Sequence, residues 1–167
     1  MVASLERATG ELPLLIATAP AAAAWRPDLT VIPDVVPGQG SLGGLLTAIE
    51  TAAPVACVAW DMPFVPAPLL AQLATRLADA DVAVPESDSR RGVGPLCAAY
   101  GPACGPAIRA ALERGDVRAI GFHGAVRVTR LPREAVLQYG DPAILFFNVN
   151  TPDDLTRAEA LCRGRDW

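Results

Sequence analysis

The feature that most constrains this chain is its rhythm. Short, continuous apolar runs alternate with segments of helical period. Residues 12–17 (LPLLIA), 29–32 (LTVI), 54–60 (PVACVAW) and 81–84 (DVAV) are apolar runs rather than alternating ones, as strands covered on both faces are. Between them, residues 41–53 open on Ser41 as an N-cap and repeat Leu at helical spacing. Residues 66–78 start with proline and set Leu69, Leu70, Leu73 and Leu77 on one stripe. Residues 102–114 run to Gly115, a helix-end signal. Residues 151–162 begin Thr-Pro-Asp-Asp, a capping residue followed by proline and acids that suit a helix N-terminus. Strand–helix alternation with short connections predicts a three-layer α/β/α domain with a mostly parallel sheet. Residues 125–131 (AVRVTRL) alternate in polarity and read as an edge strand or hairpin arm. With no internal repeat or long linker, residues 1–167 read as a single domain.

Composition removes several classes of function. Half the chain is apolar (51%) and 19% is charged, which excludes a disordered solvating protein. The net charge of −4 carries no basic run, so nucleic acid is not an expected partner. No apolar run reaches the roughly eighteen residues of a membrane span. Residues 12–24 imitate a signal peptide, but Glu6 and Glu11 precede them and Pro13 and Pro20 interrupt them, so they read as interior structure. Cys57, Cys97, Cys104 and Cys162 form no CxxC pair and accompany a single histidine, which is not a zinc pattern. Such scattered cysteines read as small hydrophobes of a cytoplasmic protein. All fourteen basic residues are arginine; there is no lysine.

Three segments carry chemistry. Gly38-Gln39-Gly40-Ser41-Leu42-Gly43 spells GxGxxG, whose amides before a helix suit a phosphate or a base. A dinucleotide fingerprint turns directly off its strand, whereas Pro33, Asp34 and Pro37 stand between strand and glycine here. Asp61, in Asp61-Met62-Pro63-Phe64, follows the PVACVAW run, where parallel sheets bind ligands. It is a hard oxygen donor suited to Mg²⁺ shared with substrate phosphates, or alternatively a helix-capping acid in a tight turn. Asn148 and Asn150 precede a helix and are either neutral ligands or caps of the turn. His123 reads as a solvated loop histidine, and Arg90–Arg91 as a solvated pair or a phosphate clamp. No Ser sits in a GxSxG frame and no Cys has a paired His, which excludes hydrolase triads.

Five segments follow one another in the chain: Val31-Ile32-Pro33-Asp34, Pro37 through Leu45, Cys57 through Phe64, Gly94 through Tyr100, and Phe147-Asn148-Val149-Asn150-Thr151-Pro152-Asp153-Asp154-Leu155. In that order they resemble the molybdenum cofactor guanylyltransferases of MobA type. The resemblance runs from about Leu12 to Leu161. It implies a Rossmann-like nucleotide-diphosphosugar-transferase fold and transfer of GMP from GTP to molybdopterin, with Mg²⁺ and release of pyrophosphate. By resemblance, Asp34 contacts the guanine nucleotide, and Pro37, Gly38, Gly40, Ser41 and Leu42 line its pocket. Asp61 is the catalytic, nucleotide-binding and metal-binding carboxylate. Asn150, with Asn148, supports metal or acceptor. Molybdoenzymes or other cofactor-biosynthesis proteins are the implied protein partners.

The chain departs from the family pattern at named places. The family's opening strand and glycine-rich loop, with its Arg and Lys, have no counterpart before the helix expected at residues 2–8. Ala17 stands where a nucleotide-contacting Asn is expected, and Trp60 where a small residue is expected. A sheet without that first strand is expected to leave backbone edges and an apolar face exposed. The start at Met1 reads as mid-helix sequence, and the chain as written is expected to transfer weakly or not at all. Two alternatives accompany the guanylyltransferase reading: a non-catalytic nucleotide-binding or partner subunit of the same fold, and an NAD-binding oxidoreductase.

Overall fold

The structure, a computed structural model, describes residues 1–17, 24, 26–89 and 92–163. Arg90, Arg91 and residues 18–23 of the signal-like stretch lie outside the described residues. The chain opens with α1 (Val2–Thr9), which stops where Gly10 turns left-handed at φ 77° and donates its N–H to Glu6 O. Then follow β1 (Leu15–Ile16), β2 (Val31–Ile32), α2 (Gly40–Ala52), β3 (Val55–Val58) and α3 (Ala67–Thr75), extended by a 3₁₀ turn over Arg76–Ala78. After these come β4 (Val82–Pro85), β5 (Cys97–Tyr100), α4 (Cys104–Glu113), β6 (Val128–Leu131), α5 (Arg133–Val136), α6 (Pro142–Leu145) and α7 (Pro152–Arg163). None of the described helices is long and apolar enough to cross a membrane.

The main sheet has the order β3-β5-β4-β6. β5 pairs antiparallel with both β3 and β4, while β4 pairs parallel with β6. Strands β3, β4 and β6 therefore run one way and β5 alone is reversed. β1 and β2 pair in parallel as a separate ribbon, so β3 is an outer strand of the four-stranded sheet. The alternating 125–131 segment ends as the edge strand β6. β5 was not legible as a strand: Cys-Ala-Ala-Tyr contains two weak strand formers, and burial on both faces decides its state.

Side-chain alternation along the strands builds two cores. Val82, Val84, Ala98 and Tyr100 face α2 and α4, meeting Leu42, Leu45, Leu46, Ile49, Cys104 and Ile108. Ala83, Cys97 and Ala99 face the other way, toward Leu69, Leu70 and Leu73 of α3 and toward Val136 and Leu145. Helices thus cover both sides of the sheet, which is why its strands are continuous apolar runs. Each fully buried leucine contributes about 1.5–3 kcal/mol, so the stripe on α3 anchors its layer. That layer fixes where the chain leaves β3, and the first residues beyond β3 carry the site.

Candidate functional site

Three loops hold the residues singled out by the sequence: one between β2 and α2, one after β3 and one before α7. The first joins β2 to α2. Pro37 precedes Gly38 at φ 79°, the pattern of a turn that demands a left-handed third residue, and Gly40 at φ 56° repeats the demand. The loop is tied down by Thr47, a fully buried hydroxyl. Thr47 Oγ1 donates to Gly43 O at 2.9 Å and accepts from Val35 N–H at 2.9 Å, so the buried group is satisfied. A Cβ on Gly43 would lie 3.0 Å from Val36 O and 3.0 Å from Gln39 Cβ, so backbone passes where no side chain fits. A Cβ on Gly44 would lie 3.6 Å from Asp34 Oδ1, which places that carboxylate beside the first turn of α2. A negative charge there is favoured by the helix dipole.

Two expectations change. Ser41 does not cap α2: Gln39 occupies the cap without a side-chain bond, and Ser41 stands inside the first turn, exposed. Gly40 enters with positive φ, so the backbone itself makes the entry. Leu42 is 0% exposed in the core, which leaves only its backbone for a ligand. The GxGxxG string lacks dinucleotide geometry as well, because β2 ends at Ile32 and Pro33 to Pro37 intervene before its first glycine.

The second loop follows β3. Asp61 sits in a turn just past the strand, and its main-chain carbonyl accepts from Val149 N–H at 2.9 Å. Asn148 Nδ2 donates to Asp61 Oδ2 at 2.9 Å. Asp61 Oδ1 is shielded from solvent and has no hydrogen-bond partner among the described residues. Asp61 does not cap the next helix, since Pro66 occupies the N-cap of α3. The fold thus brings together two motifs far apart in the chain, Asp61 and Asn148. Phe64 and Phe147 reinforce the junction, their ring centroids 6.3 Å apart, and the Arg157 guanidinium lies 5.1 Å above the Phe147 ring.

Asn150 is not drawn to Asp61 by any described bond. Its side chain is exposed, and its main-chain N–H donates to Asp154 Oδ2 at 3.2 Å. The cap of α7 is instead the reciprocal Thr151–Asp154 pair. Asp154 N–H donates to Thr151 Oγ1 at 3.1 Å, while Thr151 N–H and its hydroxyl donate to Asp154 Oδ2 at 3.0 and 2.9 Å. The Thr151 hydroxyl bond, joined by the Asn150 amide, holds the Asp154 carboxyl below the usual range.

The sequence reading missed a groove of about 520 Å³ between the Trp60–Phe64 turn and α7, lined by Trp60, Asp61, Phe64, Val149, Leu155 and Ala158 among others. Its signal was present as Leu155, Ala158 and Cys162, apolar residues three and four apart along the segment that follows Thr151-Pro152. His123 is another departure. It is half-buried rather than solvated, its ring edge-on to Phe122 at 4.9 Å, and burial, helped by the charge of Arg130, pushes its imidazole down to about 4.

No group of three or more His, Cys, Asp or Glu among the described residues is placed to hold a metal. A Mg²⁺ site here would therefore rest on one carboxylate and on substrate oxygens, the usual arrangement for that ion with phosphates. Asp61 fits it: one oxygen is held by Asn148 and the other, a hard donor, is buried and unpaired.

A family model described as the MobA-like NTP transferase domain matches residues 1–128. A probable molybdenum cofactor guanylyltransferase of Pelotomaculum thermopropionicum is 36% identical over 145 residues, spanning 83% of this chain and 70% of that protein. Molybdenum cofactor guanylyltransferases of Rhodopseudomonas palustris and Mesorhizobium japonicum are 36% and 37% identical, over 80% and 81% of this chain. The chain spans 64% and 68% of those two proteins. The crystal structure of molybdopterin-guanine dinucleotide biosynthesis protein A from Archaeoglobus fulgidus superposes with a TM-score of 0.81 at 28% identity, covering 96% of this chain and 84% of that one.

Proposed function

The chain belongs to the MobA-like NTP transferase family, and we propose that it is a nucleotidyltransferase that passes GMP from GTP to molybdopterin. Pyrophosphate is the second product. A phosphate oxygen of the acceptor attacks the α-phosphorus, and the bond from that phosphorus to the oxygen bridging to the β-phosphate breaks. Such a displacement needs positioning and charge neutralisation rather than a protein nucleophile. That agrees with a chain that has no catalytic triad in its sequence.

The observation that carries this reading is the state of the Asp61 carboxylate, with Oδ2 pinned by Asn148 and Oδ1 buried without a partner. An orphaned buried carboxylate oxygen is costly unless a ligand completes it. Mg²⁺ bound to Oδ1 would neutralise charge on the nucleotide's phosphates. Asn148 holds the carboxylate at a fixed angle, and Asn150 lies in the same loop as support for the acceptor. Pro37, Gly38, Gly40, Ser41 and the Leu42 backbone offer main-chain groups at the start of α2 to the nucleotide, with Asp34 accepting hydrogen bonds from the guanine edge. Partner proteins of cofactor assembly would receive the product. Ala17 and Trp60, which stand where the family resemblance expects an asparagine and a small residue, favour a second reading, a nucleotide-binding member that transfers little.

Thermal unfolding with ligands tests the core of the proposal. GTP with Mg²⁺ is expected to raise Tm, NAD(H) is not, and Asp61→Ala is expected to lose the Mg²⁺-dependent part of the shift. An Asp61→Ala protein stabilised as strongly as the parent would refute the metal assignment. A guanylyl-transfer assay with molybdopterin then separates the two readings.

A further inference from the structure

A hydroxyl sits in the apolar core of α2. Thr47 is 0% exposed, among Leu45, Leu46 and Ile49. A β-branched residue lowers helix propensity, and a buried hydroxyl must be hydrogen-bonded, so an apolar straight-chain residue would suit the core better. One half of what the hydroxyl does is ordinary. Thr47 Oγ1 donates to the carbonyl four residues back, as Thr51 does to Thr47 O and Thr156 to Pro152 O. The other half is not. Thr47 Oγ1 also accepts from Val35 N–H at 2.9 Å, outside the helix. Among the described residues, neither Thr51 nor Thr156 accepts from another segment.

The Val35 N–H belongs to the peptide unit that joins Asp34 to Val35. Pro33 and Pro37 have no N–H, so the stretch between them can be anchored through donors only at Asp34, Val35 and Val36. The Asp34 carboxylate lies over Gly44, 3.6 Å from where a Cβ would stand. Gly43, whose carbonyl takes the other Thr47 bond, is the residue before it. One hydroxyl thus links the peptide plane behind Asp34 to the helical turn on which its carboxylate rests. A peptide plane free to rotate swings the side chain attached to it. Recognition groups work when supporting bonds hold them to within about 0.5 Å and 10–20°.

We propose that Thr47 is a positioning residue for base recognition: its buried hydroxyl fixes the Asp34–Val35 peptide against α2, aims the Asp34 carboxylate at the base edge, and so sets the preference among nucleotides without touching them. This rests on the reading of Asp34 as the guanine contact.

Competition binding of GTP, ATP and CTP by the whole protein, with Mg²⁺, reads that preference. Thr47→Val keeps the shape and removes the hydroxyl, and is expected to lower the preference for GTP about five- to tenfold. Thr47→Ser, which keeps the hydroxyl, is expected to stay within about twofold of the parent, and so is Thr51→Val, one turn further along the helix. A general loosening of the fold would weaken all three nucleotides alike, whereas a misaimed Asp34 leaves affinity for ATP and CTP within about twofold. In an Asp34→Ala background, Thr47→Val is expected to lower the preference no further, because both changes act through one group. Full GTP preference in Thr47→Val would overturn the proposal. So would equal loss for all three nucleotides, or an undiminished effect in the Asp34→Ala background. A parent protein that never prefers GTP would sink the Asp34 reading itself, and this proposal with it. Exchange of the Val35 amide hydrogen in the parent, followed by NMR, does not depend on the variants folding. Slow exchange is expected, and exchange at the rate of a free amide would overturn the proposal.

Discussion

The side-chain amide of Asn148 donates to Oδ2 of Asp61 across 2.9 Å, and the next residue, Val149, donates its main-chain N–H to the Asp61 carbonyl. Two successive residues of one loop thus hold both ends of the residue proposed to bind metal. The amide donor occupies one carboxylate oxygen and leaves the other clear of the protein's own bonds. Groups that orient a metal ligand typically change metal affinity 10- to 100-fold when removed. Asn148→Ala is expected to raise the Mg²⁺ concentration needed for GTP binding about tenfold. Titration of Mg²⁺ against a fixed GTP concentration measures it, and an unchanged midpoint would assign Asn148 a purely architectural role.

Asp34 lies beside the first turn of α2, where its carboxylate can accept a pair of N–H donors from a base edge. Hydrogen bonds to a charged group contribute about 1.5–3 kcal/mol. Asp34→Ala is therefore expected to reduce the preference for GTP over ATP and CTP about 10- to 100-fold. Competition binding with the three nucleotides checks this. Full retention of GTP preference would move base recognition elsewhere.

His123 couples folding to pH. Burial lowers its imidazole from 6.5 to about 4, and its Nε2 is buried without a partner among the described residues. The unfolded chain binds the proton more readily, so protonation favours unfolding. The contribution of neutral His123 is complete above about pH 6.5 and is lost as the pH falls toward about 4. Urea midpoints measured from pH 7.5 to 4.5 are expected to decline, and His123→Gln to decline less across that window. Equal slopes would show that other groups carry the effect.

Gly43 stands where the β2–α2 loop touches its own helix. An added methyl would lie 3.0 Å from a backbone oxygen, which cannot move aside as a flexible side chain can. Gly43→Ala is expected to destabilise the fold by about 1–3 kcal/mol, as overpacking does. It should also weaken GTP binding, because the loop must shift. A fall in Tm without any loss of GTP affinity would separate the loop from the nucleotide site.

Much of the architecture could be read from residues. The runs LTVI, PVACVAW and DVAV became β2, β3 and β4, and the stripe of Leu69, Leu70 and Leu73 became the buried face of α3. Those signals are local, because burial on both faces removes polar residues from a strand. β5 left no such signal, since Ala98 and Ala99 owe their state to β3 and β4 on either side. At the site, Asp61 was legible from its place after an apolar run. Its bond to Asn148 was not, because spacing along the chain says nothing about which loops meet. Ser41 misled because a hydroxyl before a leucine-rich stretch looks like a cap, whereas two glycines with positive φ make the helix entry themselves. His123 misled because a lone polar residue between glycines carries no trace of the Phe122 ring beside it.

Chain order and spatial order disagree at the reversed strand. Val55–Val58 and Val82–Pro85 leave the ribosome well before Cys97–Tyr100, the segment that must slot between them. A nascent polypeptide paused before Cys97 would hold two apolar ribbons with nothing to stitch them, each open to pairing with a neighbouring molecule. Synthesis that runs quickly through residues 86–100 would shorten that vulnerable interval, and yield in the cell should follow the pace of translation there.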